Sequence, residues 1–263
     1  MARIATQLYG WISYDGLSEM DCLRAAAKAG FEFVEGWTTF FETDEKTAQT
    51  KAVLDELGLT LAAAYAGADI HQPETAEKSL DAILDAAGRA AKDHPGLIIN
   101  VNCSGPTTDD EFAVQAKNLD RLGGELADLG YTLAIHNHTP EMVNGAREYR
   151  AMLKLTDPEL VKFCLDLHWC YASDQDPIEM IRLATGRIAC LHLRNGNDKV
   201  WSEWIGDGTD IDHVAAKKAL DKAGFDGLPI LELAYHAGKT QLTMSQTDNA
   251  RRSREYLEKL FAG

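Results

Sequence analysis

Short runs of β-branched and apolar residues alternate with longer stretches of helical periodicity along all 263 residues. The predicted strands are RIATQLY, FEFVEG, LTLAAAY, LIINVNC, YTLAIHN, VKFCLD, RIACLHLR and LPILEL. Their C-terminal ends fall near Tyr9, Gly36, Tyr65, Asn102, Asn137, Asp166, Arg194 and Leu233. They recur roughly every 32 residues, the length of one strand, one helix and two short loops. Between them, segments such as MDCLRAAAKAG and EFAVQAKNLDRLGGELADLG repeat apolar positions on one helical face.

The punctuation agrees with that alternation. Gly30, Gly58, Gly96, Gly130, Gly186 and Gly224 stand at helix-to-strand junctions, where a left-handed residue lets a helix stop and reverse. Before VKFCLD the sequence Thr156-Asp157-Pro158 serves instead, because proline blocks helix continuation. No Pro/Ser-rich linker or shift of composition divides the chain. Residues 1–263 therefore read as one α/β domain, a single (β/α)8 TIM barrel. An open doubly wound sheet needs neither this count nor this regularity, and no G-x-G-x-x-G opens a helix to support it.

Composition narrows the partners. Lys+Arg number 26 against 41 Asp+Glu, a net charge of −15, and the basic residues are scattered. Such a surface repels polyanions, so nucleic acid and anionic membrane are excluded as expected partners. No run approaches the roughly 18 apolar residues of a membrane span, and the N-terminus lacks a signal-peptide pattern, so a cytoplasmic location is expected. Five cysteines without a C-x-x-C predict reduced, buried thiols with no catalytic part. Homo-oligomerisation is left open.

In a barrel of this kind functional groups gather at the C-terminal ends of the strands, and residues i and i+2 share a face. By that parity His136 and His138 point together in LAIHNH, Asp166 and His168 in CLDLH, and His192 and Arg194 in CLHLR. Glu232 stands alone between Leu231 and Leu233. Four successive strands thus end in inward polar groups that would be costly to bury unpaired. A divalent cation is the simplest way to satisfy two imidazoles and two carboxylates at one point. The mixed N/O set suits Mn, Co, Zn or Fe, while the imidazoles disfavour Mg.

The segments LAIHNHTPE, FCLDLHWCYASDQDP, IACLHLRNG with the later IGDGTDID, and LPILEL resemble the xylose-isomerase-like barrels. That group includes sugar phosphate isomerases/epimerases, ketose 3-epimerases, inosose dehydratase and an apurinic endonuclease branch. The resemblance covers nearly the whole chain. It implies metal ligands on strands five to eight, here His136, Asp166, His192 and Glu232, with His136 standing where epimerases carry Glu and Glu141 as the other strand-five option. It implies a keto-sugar isomerase or epimerase that abstracts a proton beside a carbonyl, with a metal-stabilised enediolate. Glu232 and His136 would be the acid/base pair. A lyase or dehydratase using the same first step is the runner-up, and a non-catalytic carbohydrate-binding barrel the third class.

Glu35, Asn102, His138, Glu141, His168, Trp169 and Arg194 are the candidate contacts to a small carbohydrate. His168 could instead bond to Asp166, and Arg194 could be a buried ion pair. Asn100, Trp11, Trp37 and Asp207 are weaker candidates for the pocket wall or mouth, and Asp210 or Asp212 is expected to cap the following helix.

Overall fold

A computed structural model describes residues 3–103, 105–235 and 239–262. Eight parallel strands close a barrel: β1 (Ala5–Gln7), β2 (Phe33–Trp37), β3 (Thr60–Gly67), β4 (Ile98–Asn102), β5 (Thr132–His136), β6 (Val161–Asp166), β7 (Ile188–Leu193) and β10 (Leu228–Leu231). The remaining pair, β8 (Gly196–Asn197) and β9 (Val200–Trp201), forms a small antiparallel hairpin after β7. β1 pairs with both β2 and β10, which closes the ring. The eight predicted strands and the alternation with helices are all present.

The connecting helices are α1 (Tyr9–Asp15), α2 (Glu19–Lys28), α3 (Asp44–Leu57), α4 (Pro73–Ala90), α5 (Asp109–Asp128), α6 (Thr139–Leu155), α7 (Leu167–Ala172), α8 (Pro177–Leu183), α9 (His213–Lys222) and α10 (Gln246–Phe261). Among the described residues, no helix is long and apolar enough to cross a membrane. Gly58 shows how the junctions work: at φ 66° its N–H meets the Asp55 and Leu54 carbonyls and ends α3. The other five predicted glycine junctions also carry positive φ. Asp212, rather than Asp210, caps α9 by accepting the Ala215 N–H.

Burial divides into two clusters. The larger lies between strands and helices. The smaller, including Ala5, Ala134, Cys164, Cys190 and Ile230, fills the barrel interior with small side chains. Ala134, Cys164, Cys190 and Ile230 each stand two residues before His136, Asp166, His192 and Glu232. The polar residues therefore form the next layer, toward the strands' C-terminal ends. All five cysteines are buried and free, as expected.

Candidate active site

A cavity of about 390 Å³ opens at that end of the barrel. His136, His138, Trp169, His192, Arg194 and Glu232 line it, together with Trp37, Gln7, Tyr9, Tyr65, Trp201, Ala234 and Tyr235. Strand parity brings His136, Asp166, His192 and Glu232 to one level, and each is buried. Asp166, His192 and Glu232 converge most closely, with potential ligand atoms within 4.8 Å of one another. His136 stands beside this triad, its ring centroid 4.4 Å from that of His192, and its Nε2 faces His138 Nε2 at 3.2 Å.

The charged groups of this layer find partners within the protein. Arg194 bonds Asp166 through Nη2, and its Nη1 lies 2.8 Å from Glu232 Oε2. The guanidinium also stacks over the rings of Trp201 at 4.4 Å and Trp169 at 5.4 Å. Arg194 is thus a buried ion pair that also forms part of the cavity wall. His192 Nε2 lies 2.6 Å from Glu35 Oε2. Glu35, fully buried rather than an exposed strand-end acid, also accepts from Asn100 Nδ2.

These neighbours set the protonation states. Burial alone would lower His192, but Glu35 and Glu232 outweigh it and hold the imidazolium well above its ordinary range. Burial would likewise raise Glu232, yet Arg194 and His192 hold its carboxyl well below the usual carboxylate range. Burial pushes Asp166 up to about 6, against the pull of Arg194. It lowers His138 to about 4, and lowers His136 well below the imidazole value with help from His192 and His138. The site therefore presents an ionised Glu232 beside two neutral imidazoles.

The triad fits a divalent cation. His192 Nδ1 and Glu232 Oε2 lie only 3.0 Å apart, yet among the described residues neither has an aligned hydrogen bond, although both are buried. One imidazole and two carboxylates form a mixed N/O donor set of the kind that divalent metals take. Arg194 now supplies the positive charge opposite Asp166 and Glu232.

Several predicted contacts have other work. Glu141 does not join the triad: its Oε1 accepts from Asn102 Nδ2 at 3.1 Å and its Oε2 from the His138 N–H at 2.7 Å, closing the start of α6. Asn102 is turned the same way, toward Glu141 and the His136 carbonyl.

His168 does not share a strand face with Asp166, because β6 ends at Asp166 and the Asp166 carboxylate accepts the Trp169 N–H to start α7. His168 Nδ1 instead accepts from Trp201 Nε1 at 3.0 Å, and its Nε2 faces Asp210 Oδ2 at 3.2 Å. Trp11 is buried against Thr247, and neither it nor Asp207 lines the cavity. Gln7, Tyr9, Tyr65, Trp201 and Tyr235 were not singled out from the sequence. Tyr65, at the end of a predicted strand, carried a signal that the parity rule could have used.

The sequence profile of the xylose isomerase-like TIM barrels matches residues 23–260. An inosose dehydratase from Lacticaseibacillus casei is 24% identical over 169 residues, 57% of this chain and 55% of that protein. The chain thus spans about half the length of the curated relatives it matches first. Among solved structures, a sugar phosphate isomerase/epimerase from Parabacteroides distasonis ATCC 8503 superimposes with a TM-score of 0.76 at 21% identity, covering 97% of this chain and 93% of that one. An L-ribulose 3-epimerase superimposes at 0.79 and 18% identity, covering 100% and 95%. At these identities the structural likeness speaks for the fold.

Proposed function

This chain belongs to the xylose isomerase-like TIM barrel family, and from that premise we propose that it is an isomerase or epimerase of an unphosphorylated keto-sugar, with Glu232 removing the proton beside the carbonyl. The observation that carries this reading is a buried carboxylate, ionised by its neighbours, on the wall of a cavity that neutral His136 also lines. A base must be unprotonated before it can act, and Glu232 is. The positive groups that hold it ionised, Arg194 and His192, also face the place where negative charge would develop on a substrate oxygen.

Sugar chemistry is favoured by the wall. Trp37, Tyr65, Trp169 and Trp201 offer flat apolar faces suited to the C–H surfaces of a sugar, while Gln7, His138 and Tyr235 offer hydrogen bonds. Arg194 is the one Lys or Arg among the described lining residues, and two carboxylates already engage it. A phosphate would meet those carboxylates without a free cation, which favours an uncharged substrate.

Asp166, His192 and Glu232 would hold a divalent cation. When bound, it would supply positive charge that polarises a substrate carbonyl. His136, neutral and paired with His138, would take or return a proton on its own side of the cavity. A second reading, elimination of water after the same proton loss, is favoured by the sequence similarity to inosose dehydratases. Incubation with keto-sugars in deuterated water tests both: label at the carbon beside the carbonyl reports the shared step, and an epimer or a dehydrated product identifies the outcome.

A further inference from the structure

We propose that the barrel holds a second cation position, formed by His136 and His192 at the level of the carboxylate triad and by Cys164 one layer beneath them, and suited to a soft ion such as Zn²⁺ or Cd²⁺. The potential ligand atoms of these three residues lie within 4.8 Å of one another, and all three residues are buried. The sheet register explains the meeting. His136 on β5 is paired with Cys164 on β6, and Cys164 shares the interior face of β6 with Asp166, whose partner on β7 is His192.

Two further observations point to a ligand. His136 Nδ1 is a buried nitrogen with no hydrogen-bond partner among the described residues, which is rare unless another species satisfies it. His136 and His192 both line the cavity, so an ion entering from its mouth meets them directly. The neighbouring Cys190 is already engaged, its thiol donating to Asn100 Oδ1 at 3.2 Å, and Cys170 donates to the Asp166 carbonyl at 3.1 Å. Cys164 is hydrogen-bonded with Cys190, but it is the thiol that lies within 4.8 Å of ligand atoms on both imidazoles.

The two positions differ in chemistry. Asp166 and Glu232 offer hard oxygen, whereas Cys164 with two imidazoles selects soft and borderline ions. Binding replaces the Cys164 S–H bond by a sulfur–cation bond and releases one proton to solvent. Because His192 belongs to both sets, a soft ion in the deeper position removes a donor from the upper one. Soft ions should therefore antagonise hard ones at this site, whatever reaction the protein catalyses.

The test titrates Cd²⁺ into chelator-treated protein and follows the ultraviolet thiolate-to-cadmium charge-transfer band, with Mn²⁺ binding measured in parallel by electron paramagnetic resonance. Wild-type protein is expected to develop the band with one equivalent of Cd²⁺. Cys164→Ser should lose the band, and Cys190→Ser should keep it. Mn²⁺ binding by Cys164→Ser would show that the variant keeps a folded upper site. If Cys164→Ser binds no Mn²⁺, the same absorbance is read in wild type after the thiols are counted with and without bound Cd²⁺; one protected thiol is expected. No band in wild type, or an undiminished band in Cys164→Ser, would overturn the proposal. Cd²⁺ binding through Cys164 in a wild-type protein that takes no Mn²⁺ would support the deeper position and contradict the carboxylate one.

Discussion

His192 Nε2 lies 2.6 Å from Glu35 Oε2, joining β7 to β2 across the barrel interior. With Nε2 committed to that carboxylate, Nδ1 is the ring atom turned toward Glu232, 3.0 Å away. A histidine donates its second nitrogen to a cation best when the first is held in this way. Glu35 is thus a positioning residue for His192.

Replacing Glu35 by Gln keeps the shape and an acceptor but removes the charge. Cation affinity should fall by about 10–100-fold, the usual cost of losing such a partner. Calorimetric titration of wild type and Glu35→Gln with Mn²⁺ measures it, and equal affinities would remove Glu35 from this role.

Protein purified without chelator should carry a divalent cation that Asp166→Ala lacks. Protons compete with the cation for His192 Nδ1, and Glu35 and Glu232 strengthen the proton's hold by raising the imidazole pKa. Release should therefore begin above the ordinary imidazole value of about 6.5 as pH falls. Metal content measured after equilibration from pH 8 to pH 5 checks both points. Occupancy unchanged across that range would argue against an imidazole ligand.

Outside the cavity, Glu148 is buried and its carboxyl is pushed up to about 8, chiefly by burial, while Gln115 Nε2 donates to it at 2.8 Å. A carboxyl with a raised folded-state pKa holds its proton in the native protein after the unfolded chain has lost it. Its stabilising contribution is present below the unfolded value and lost as pH rises toward 8. Glu148→Gln should match wild type near pH 4 and exceed it by on the order of 4 kcal/mol at pH 8. Urea unfolding at the two pH values reads the difference. A variant less stable than wild type at pH 8 would contradict the assignment.

Much of this was legible in the sequence because both controlling periods are short-range. The strand repeat and the glycine junctions marked the barrel, and the two-residue alternation found His136, Asp166, His192 and Glu232 at its C-terminal end. His168 was misplaced because parity assumes that a strand continues, whereas the Asp166 carboxylate caps α7 and ends β6 there. Glu141 was open to a local reading: His138 and Glu141 have the spacing of a capping box, which is what they form.

Trp201 gave no signal, since it reaches the cavity on the β8–β9 hairpin. The positive φ values at the turn of that hairpin fall on Asp198 and Lys199 rather than on glycine. The partners of Arg194 come from β6 and the end of β10, and only the closed barrel brings them together.

The central claim is that Glu232 removes a proton beside a carbonyl. Solvent exchange reports that step before any product forms, so wild type and Glu232→Gln are compared on a panel of unphosphorylated keto-sugars in deuterated water by proton NMR. Glutamine keeps the size and one oxygen but cannot act as the base. Deuterium should enter beside the carbonyl with wild type and at least about 100-fold more slowly with Glu232→Gln, a typical general-base contribution. Exchange at wild-type rate in Glu232→Gln on a substrate that wild type exchanges would contradict the account.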